Sequence, residues 1–219
     1  MTAGHVEPGG LPLAAALSAT VTMIKMSVGP MDNNCYLLRP RTGRSVLIDA
    51  ANDADRIVAN VGEPAPDAVV TTHRHQDHWQ ALAALTTLWR PELYAGTADV
   101  QAIQDQAGVT DVHGVWDGDR IRLGDDESLE IIGLVGHTPG SVAVVYRGEV
   151  THLFTGDSLF PGGVGKTATA QDFATLIDGV EYKLFDNFDD DTVVHPGHGD
   201  DTTLGAERPK LSGWRSRGW

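Results

Sequence analysis

The sequence contains a single cysteine, Cys35, so no disulfide bond can form within the chain. The absence of disulfides fits a reducing compartment, and the cytoplasm is the expected location. No apolar run reaches the ~20 residues that a membrane-spanning helix needs, so no membrane-spanning segment is expected. Cys35 lies at the start of an expected strand, where a buried structural thiol is more common than a nucleophile.

Basic residues are scarce, since 16 Lys and Arg stand against 30 Asp and Glu, which gives a formal net charge of −14. Binding to nucleic acid or to an anionic membrane needs clustered Lys and Arg, so neither is an expected partner. Bound divalent cations would offset a part of this negative charge. The 219 residues suffice for one large domain or two closely packed halves.

The densest group of potential metal ligands follows a short β-branched run at residues 69–72. This run predicts a buried strand, and the pattern at residues 79–88 predicts a helix. Between them lie four ligand-type residues, namely His73, His75, Asp77 and His78. Residues two apart in an extended segment point the same way, so His73 and His75 can converge on one ion. Imidazole nitrogen and carboxylate oxygen are common ligands of Zn²⁺, whereas a plain polar loop would ordinarily hold fewer such residues.

Three further ligand-type residues lie in glycine-rich turns that each follow a short predicted strand. They are His137 in G-H-T-P-G-S, Asp157 in T-G-D-S and His198 in H-P-G-H-G. Glycine allows the backbone to approach a small ion closely, and binding residues are often carried on such turns. Each residue alone also fits an ordinary turn, but the set favours a metal site. His195, beside the last turn, is open to a supporting role or to none.

Predicted strands and helices occur in two similar groups along the chain. The strands are expected at residues 20–28, 35–39, 45–49, 69–72, 93–95, 112–116, 120–123, 129–134, 142–146, 152–155 and 193–194. The helices are expected at residues 53–61, 79–88, 98–107 (capped by Thr97), 169–185 and 204–211. This order predicts an α/β fold of two halves with sheets packed face to face. We expect a loosely ordered leader over residues 1–19, one domain over residues 20–212 and a tail over residues 213–219.

The order H-x-H-x-D-H, then a lone His, an Asp and a final His resembles the ligand series of the metallo-β-lactamase superfamily. The resemblance covers residues 20–208 and implies a four-layer αββα sandwich with a metal site at one edge between the sheets. It implies one metal on His73, His75 and His137, and a second on Asp77, His78 and His198. Asp157 would bridge the two. Two divalent ions are therefore expected, with Zn²⁺ favoured and Fe or Mn as alternatives.

Two stretches are similar to the glyoxalase II (hydroxyacylglutathione hydrolase) branch of that superfamily, in particular to its short bacterial members. They are G-D-S-L-F-P-G-G-V-G-K-T at residues 156–167 and P-G-H-G-D-D-T-T-L-G-A-E-R at residues 196–208. The similarity implies hydrolysis of a thioester, such as an S-(2-hydroxyacyl) thiol conjugate, by a hydroxide that bridges the two metals. Asp77 would orient the metal-bound water. Lys166 lies where this branch has a basic residue that contacts the carboxylate of the thiol cofactor.

Two assignments have alternatives that the residues alone do not separate. Asp49 ends the predicted strand V-L-I-D and is a candidate partner of a ligand imidazole, although a plain turn aspartate fits equally well. Lys166 also fits a simple solvated lysine. Trp214 and Trp219 lie in a basic tail that either packs on the domain or mediates self-association, which leaves a homo-oligomer open.

A mononuclear iron persulfide dioxygenase is the competing function. Two histidines and one carboxylate suit Fe(II) and O₂, and His73, His137 and Asp157 could supply them. Retention of every ligand of the second metal favours the hydrolase. Lactone or β-lactam hydrolysis on the same scaffold is a further alternative within the hydrolase class.

Overall fold

The computed structural model describes residues 4–218, which form two mixed β-sheets flanked by helices. In spatial order, the first sheet contains β1 (Leu13–Ala16), β2 (Val21–Val28), β3 (Asn33–Pro40), β4 (Val46–Ile48), β5 (Ala68–Thr71), β6 (Glu92–Gly96) and β7 (Val112–Val115). The second contains β15 (Thr202–Thr203), β14 (Val193–Pro196), β11 (Thr151–Gly156), β10 (Val142–Arg147), β9 (Glu127–Gly133) and β8 (Arg120–Leu123). A separate hairpin pairs β12 (Leu159–Phe160) with β13 (Gly163–Val164).

The helices are α1 (Ala54–Val61), α2 (Leu82–Trp89), α3 (Val100–Ala107), α4 (Ala170–Val180), α5 (Leu204–Glu207) and α6 (Leu211–Arg217). Three of them begin at side chains that accept a hydrogen bond from an unpaired backbone N–H, and at the start of α5 this side chain is Thr203, which accepts from the N–H of Ala206. Asp53 accepts from the N–H of Arg56 at the start of α1, and Thr169 accepts from that of Asp172 at the start of α4. Over residues 4–218, no helix combines the length and the apolar character needed to cross a membrane.

Alternation of side chains along the strands produces three hydrophobic cores. On β3, Cys35 packs toward α1–α3, while the next residue, Tyr36, packs between the sheets. On β10, Val144 packs between the sheets and Val145 packs toward α4. Three cores separate four layers, which confirms the predicted αββα sandwich. Burial raises the pKa of the Cys35 thiol to about 12, so this thiol stays protonated at neutral pH.

The expectation of a loosely ordered leader is wrong for residues 13–17. Strand β1 pairs with β2 in antiparallel register, from Leu13 opposite Lys25 to Ala16 opposite Thr22, and Leu17 is buried. The run Leu-Ala-Ala-Ala carries little strand propensity, and its conformation comes from backbone hydrogen bonds to the sheet edge. Residues 1–3 lie outside the described residues.

The C-terminal segment belongs to the folded domain. Trp214 is buried in α6, and its ring lies 6.4 Å from that of Phe185. Packing on the domain is therefore the outcome for Trp214, while Trp219 lies outside the described residues. The helix expected at residues 79–88 begins later, at Leu82, because a 3-10 turn, Gln76–His78, precedes it. The hydroxyl of Thr97 donates a hydrogen bond to the carbonyl of Val115, so Thr97 does not form the predicted cap of α3.

The sandwich brings the ends of several strands to one edge. Strands β4 and β5 run parallel, as do β11 and β14, so the residues that follow each pair leave the sheet on the same side. Ligands of open α/β sheets lie outside such carboxyl ends. The turns that contain the predicted metal ligands follow β5, β9, β11 and β14.

One close approach between the two halves requires a glycine. A Cβ atom at Gly96, the last residue of β6, would overlap the carbonyl oxygen of Gly140 in the turn that carries His137. We expect Gly96→Ala to lower the free energy of unfolding by about 1–3 kcal/mol, because overpacking forces the backbone to move. Gly179→Ala in α4 is the matched control, since its Cβ would meet only Leu134 at 3.7 Å.

Urea denaturation of both variants measures the difference. Gly179→Ala should raise the free energy of unfolding by about 0.5–1 kcal/mol, because alanine is the better helix former. Equal stabilities of Gly96→Ala and the parent chain would contradict the close approach.

Candidate metal centre

The structure brings together all seven side chains that the sequence predicts as metal ligands. Their ligand atoms form three groups, each with its atoms within 4.8 Å of one another. The first group is His73, His75 and His137, and the second group is Asp77, His78 and His198. The third set, His73, His78 and Asp157, lies where these two groups meet.

The first group is formed by three imidazoles from the turns after β5 and β9. The Nε2 atom of His137 lies 3.2 Å from Nε2 of His73 and 2.9 Å from Nδ1 of His75. The rings are nearly perpendicular, with the planes of His75 and His137 at 90°. Three ring nitrogens thus face one point from different directions.

The second group joins the 3-10 turn after β5 to the turn after β14. Nε2 of His78 lies 3.2 Å from Nε2 of His198. Oδ2 of Asp77 lies 3.3 Å from His198 Nε2 and 3.5 Å from His78 Nε2. Two nitrogens and one oxygen therefore face a second point.

Asp157 lies between the two groups. Its Oδ2 atom is 3.6 Å from His137 Nε2, and its Oδ1 atom is 3.3 Å from His78 Nε2. Oδ1 is buried without a well-formed hydrogen bond. A buried carboxylate oxygen without a donor is costly, and a cation on its open side would remove that cost.

These separations fit divalent cations. Ligand atoms placed tetrahedrally at ~2.1 Å from one ion lie roughly 3.4 Å from each other. The distances among the ligand atoms of the second group, from 3.2 to 3.5 Å, match this value. The donor set of imidazole nitrogen and carboxylate oxygen suits Zn²⁺, Fe or Mn. Both groups can therefore hold an ion.

The outer ring nitrogens fix which nitrogen of three histidines faces the centre. His137 Nδ1 donates to the carbonyl of Lys166 at 2.7 Å, and His198 Nδ1 donates to the carbonyl of Met31 at 2.7 Å. His78 Nδ1 donates to Oδ2 of Asp49 at 2.8 Å. With the proton on Nδ1, each Nε2 directs a lone pair toward the centre, as metal binding requires.

Asp49 supports two of these histidines. Its carboxylate is buried, with Oδ1 accepting from the N–H of Thr72 at 2.7 Å and Oδ2 accepting from Thr72 Oγ1 at 2.8 Å. Thr72 Oγ1 lies 3.1 Å from His73 Nδ1, so Asp49 contacts His78 directly and reaches His73 through Thr72. The residue occupies a turn at φ 57°, and it also serves as the predicted partner of a ligand imidazole.

Burial and charge set the protonation of the centre. Burial and the neighbouring imidazoles hold the pKa of His73 well below its usual range, so this ring is neutral. Burial opposes a charge on His78, but Asp49 and Asp157 outweigh it and raise its pKa to about 10. Burial acts likewise against an ionised Asp157, but the nearby histidines lower the pKa of this carboxyl. The centre thus keeps its carboxylates ionised and attracts positive charge.

Two supporting residues were not predicted from the sequence. Asp99 is fully buried and accepts hydrogen bonds from the N–H of Arg74 at 3.0 Å and from Thr138 Oγ1 at 2.5 Å, which joins the turns of the first group. Asn33 donates to Oδ2 of Asp77 at 3.0 Å. The only local signal for Asp99 is its place just before α3, where a capping role would be expected.

Lys166 lies beside the first group. Its side chain is exposed and lines a cavity of about 590 Å³ formed by residues 164–170 and Gly218. Its carbonyl holds His137, so the cavity borders the candidate metal centre.

Comparison with known proteins gives the family. The model of the metallo-beta-lactamase superfamily matches residues 28–198. A hydroxyacylglutathione hydrolase, GloC, of Haemophilus influenzae is 29% identical over 198 residues, which cover 83% of this chain and 92% of that protein. An uncharacterized protein of Mycobacterium tuberculosis is 35% identical over 205 residues, which cover 80% of this chain and 89% of that protein.

A solved structure agrees with these relatives. The crystal structure of TTHA1623 in a di-iron-bound form superposes with a TM-score of 0.66 at 30% identity, covering 84% of this chain and 96% of that one. With the ligand series gathered at one edge of an αββα sandwich, the chain belongs to the metallo-beta-lactamase superfamily of metal-dependent hydrolases.

Proposed function

We propose that the protein is a dinuclear hydrolase that cleaves a thioester such as an S-(2-hydroxyacyl) thiol conjugate. The observation that carries the proposal is the position of Asp157, whose two oxygens each face a different ligand group. The relative named hydroxyacylglutathione hydrolase, similar over most of both chains, supports the thioester as substrate class. Zn²⁺ is the proposed metal, with Fe or Mn as alternatives.

The two ligand groups would hold the ions, which when bound would supply a water of lowered pKa and a Lewis acid for the carbonyl oxygen. His73, His75 and His137 form one group, and Asp77, His78 and His198 form the other. The leaving thiolate is stable enough to depart without a separate general acid, so the chain need not provide one.

Asp77 has a second task in this proposal. Asn33 donates to its Oδ2 atom, which fixes the carboxylate plane and assigns that oxygen to the ligand group. The other oxygen, Oδ1, is then available to accept a hydrogen bond from the attacking water and orient it toward the carbonyl carbon. Orientation of this kind accounts for a large share of catalytic rate.

The cavity beside Lys166 is the proposed site of the thiol portion. The Lys166 ammonium would pair with a carboxylate on the thiol carrier. A small-molecule thioester is thus the proposed partner, and the acidity of the chain argues against nucleic acid and membranes as partners. We place the enzyme in the cytoplasm, where the free thiol of Cys35 stays reduced.

A persulfide dioxygenase is the second candidate. His73 and His137 lie 3.2 Å apart at Nε2, and Asp157 lies 3.6 Å from His137, so two histidines and one carboxylate could hold a single Fe(II). The complete second group, which this reaction does not require, favours the hydrolase.

The first prediction of this proposed function concerns metal content and turnover. The purified chain should hold two metal equivalents and hydrolyse S-lactoyl thioesters, and chelation should abolish the hydrolysis. His198→Ala should reduce the metal content to one equivalent and lower kcat/KM more than ~100-fold. Replacing even a residue that only hydrogen-bonds to a ligand lowers metal affinity or activity about 10–100-fold. Elemental analysis and a thioester assay with a thiol reagent provide the measurement.

The matched control is His113→Ala, an exposed histidine of β7 away from both groups. It should keep both metals and full turnover. Unchanged turnover of His198→Ala would refute the hydrolase proposal. One iron per chain together with oxygen uptake on a persulfide would establish the dioxygenase instead.

The second prediction concerns Asp49 as a positioning residue. Asp49→Asn replaces one carboxylate oxygen with an NH2 group that cannot accept, so the hydrogen bond from the N–H of Thr72 or those from Thr72 Oγ1 and His78 are lost. The affinity for metal should fall about 10–100-fold, as measured by competition with a chromogenic chelator. Asp67→Asn is the control, because Asp67 is an exposed turn aspartate that accepts from the N–H of Ser45. Equal metal affinities of the two variants would contradict the positioning role of Asp49 and show that it is an ordinary turn aspartate.

The third prediction concerns Lys166. Lys166→Ala should raise KM up to about 5-fold for a thioester whose thiol carries a carboxylate, because an exposed ion pair contributes up to about 1 kcal/mol and each 1.4 kcal/mol is tenfold. KM for a neutral thiol analogue should not change. Lys210→Ala, which removes an exposed lysine paired with Glu207, is the control. Identical KM shifts for charged and neutral substrates would leave Lys166 as a solvated lysine.

A further inference from the structure

A buried lysine lies behind the second ligand group. Lys25 on β2 has none of its side chain exposed, although it carries a charge. A buried ammonium is stable only when each of its three N–H groups has an acceptor. Nothing in the catalytic proposal uses this residue, so its acceptors indicate what it does.

All three acceptors are present, and two of them lie just past His198. Lys25 Nζ donates to the carbonyl of Gly199 at 2.7 Å, to Oδ1 of Asp201 at 2.8 Å and to the carbonyl of Gly4 at 2.6 Å. The first two contacts fix the chain immediately after the candidate ligand. The third adds the N-terminal segment to the same cluster.

Asp201 contacts Lys25 with one oxygen and faces His195, before the turn of His198, with the other. Its Oδ2 atom lies 3.1 Å from Nδ1 of His195, which precedes His198 on β14. Asn34 donates to the carbonyls of Pro196 and Gly199, each at 3.0 Å. The turn that carries His198 is therefore held by Lys25 with Asp201 after the candidate ligand and by Asn34 on both sides of it.

The first ligand group rests on different residues. Asp99 joins its turns through Arg74 and Thr138, and the three acceptors of Lys25 all lie elsewhere. The contacts of Lys25 near the centre are thus confined to the side of His198. Loss of Lys25 should disturb one ligand group and spare the other.

We propose that Lys25 is a positioning residue that holds the turn of His198 and thereby retains the ion of the second group. Without Lys25, the chain keeps the ion of His73, His75 and His137 and releases the ion of Asp77, His78 and His198. The inference rests on the dinuclear function proposed above. A merely structural lysine would stabilise the fold and leave the relative retention of the two ions unchanged.

The experiment compares three variants of the full chain loaded with Zn²⁺. Lys25→Met removes the ammonium. Lys25→Met combined with Asp201→Asn also removes the carboxylate charge that the first change leaves unpaired in the interior. Lys183→Met is the matched control, because Lys183 Nζ likewise donates to a carboxylate, Asp117 Oδ1 at 2.9 Å, and to a carbonyl, Gly133 O at 2.9 Å.

Three measurements are made on each variant: zinc content after gel filtration, the rate of zinc release to a chromogenic chelator, and the unfolding temperature. The parent chain and Lys183→Met should retain two equivalents. Lys25→Met should retain one, or release the second at least tenfold faster. The double variant should recover unfolding temperature without recovering the second ion. If Lys25→Met does not fold, the double variant decides the question.

Combination with His198→Ala tests the route of the effect. Lys25→Met should not lower the zinc content of His198→Ala further, because residues that act through one another are not additive. Two slowly released ions in Lys25→Met, or recovery of both ions in the double variant, would overturn the role of Lys25. A parent chain with a single ion would overturn the dinuclear function itself, so the two failures are distinguishable.

Discussion

The central constraint on the structure is that imidazole nitrogens with lone pairs lie close together, an arrangement that a cation stabilises. Nε2 of His73 and Nε2 of His137 lie 3.2 Å apart, as do Nε2 of His78 and Nε2 of His198. The Nδ1 protons of His137, His78 and His198 are committed to acceptors outside the centre, so the lone pairs of these rings face inward. Without a metal, a proton is the available substitute, and Asp49 and Asp157 raise the pKa of His78 to about 10 despite its burial. A divalent ion satisfies several of these groups at once, which a proton cannot do.

The rigid sandwich holds these ligand atoms close together in spite of their mutual repulsion. Three apolar cores fix the two sheets, and the ligands lie on turns that leave the sheets at a common edge. Buried carboxylates then hold those turns. Asp49 fixes the turn after β5, Asp99 joins it to the turn after β9, and Asp201 with Lys25 fixes the turn after β14. Each buried charge is paired or accepts several hydrogen bonds, as burial demands.

The sequence predicted the parts whose signal is local. Four candidate ligands lie within six residues and the other three lie in glycine-rich turns after apolar runs, so the local pattern singled them out, and the family resemblance assigned them as one ligand series. The αββα architecture followed from the resemblance and from strand periodicity. Asp99, Asn33 and Lys25 were not found, because their partners lie far along the chain. Lys25 and Asp201, for example, are 176 positions apart. Strand β1 was also missed, because its alanines become a strand only through pairing with β2.

The division of support between the two ligand groups bears on how many metals such a centre holds. On the proposed arrangement, the groups lie side by side, with Asp157 between them, and Asp49 supports a histidine of each. Asp99 joins the turns of the first group, whereas Lys25 holds the turn of His198. A change at Lys25 would alter the turn of His198 and leave the contacts of Asp99 intact. The number of ions is then set by residues behind the ligands as well as by the ligands themselves. On the proposed role of Lys25, two chains with identical ligand series would differ in the number of ions they hold when they differ at such supporting residues.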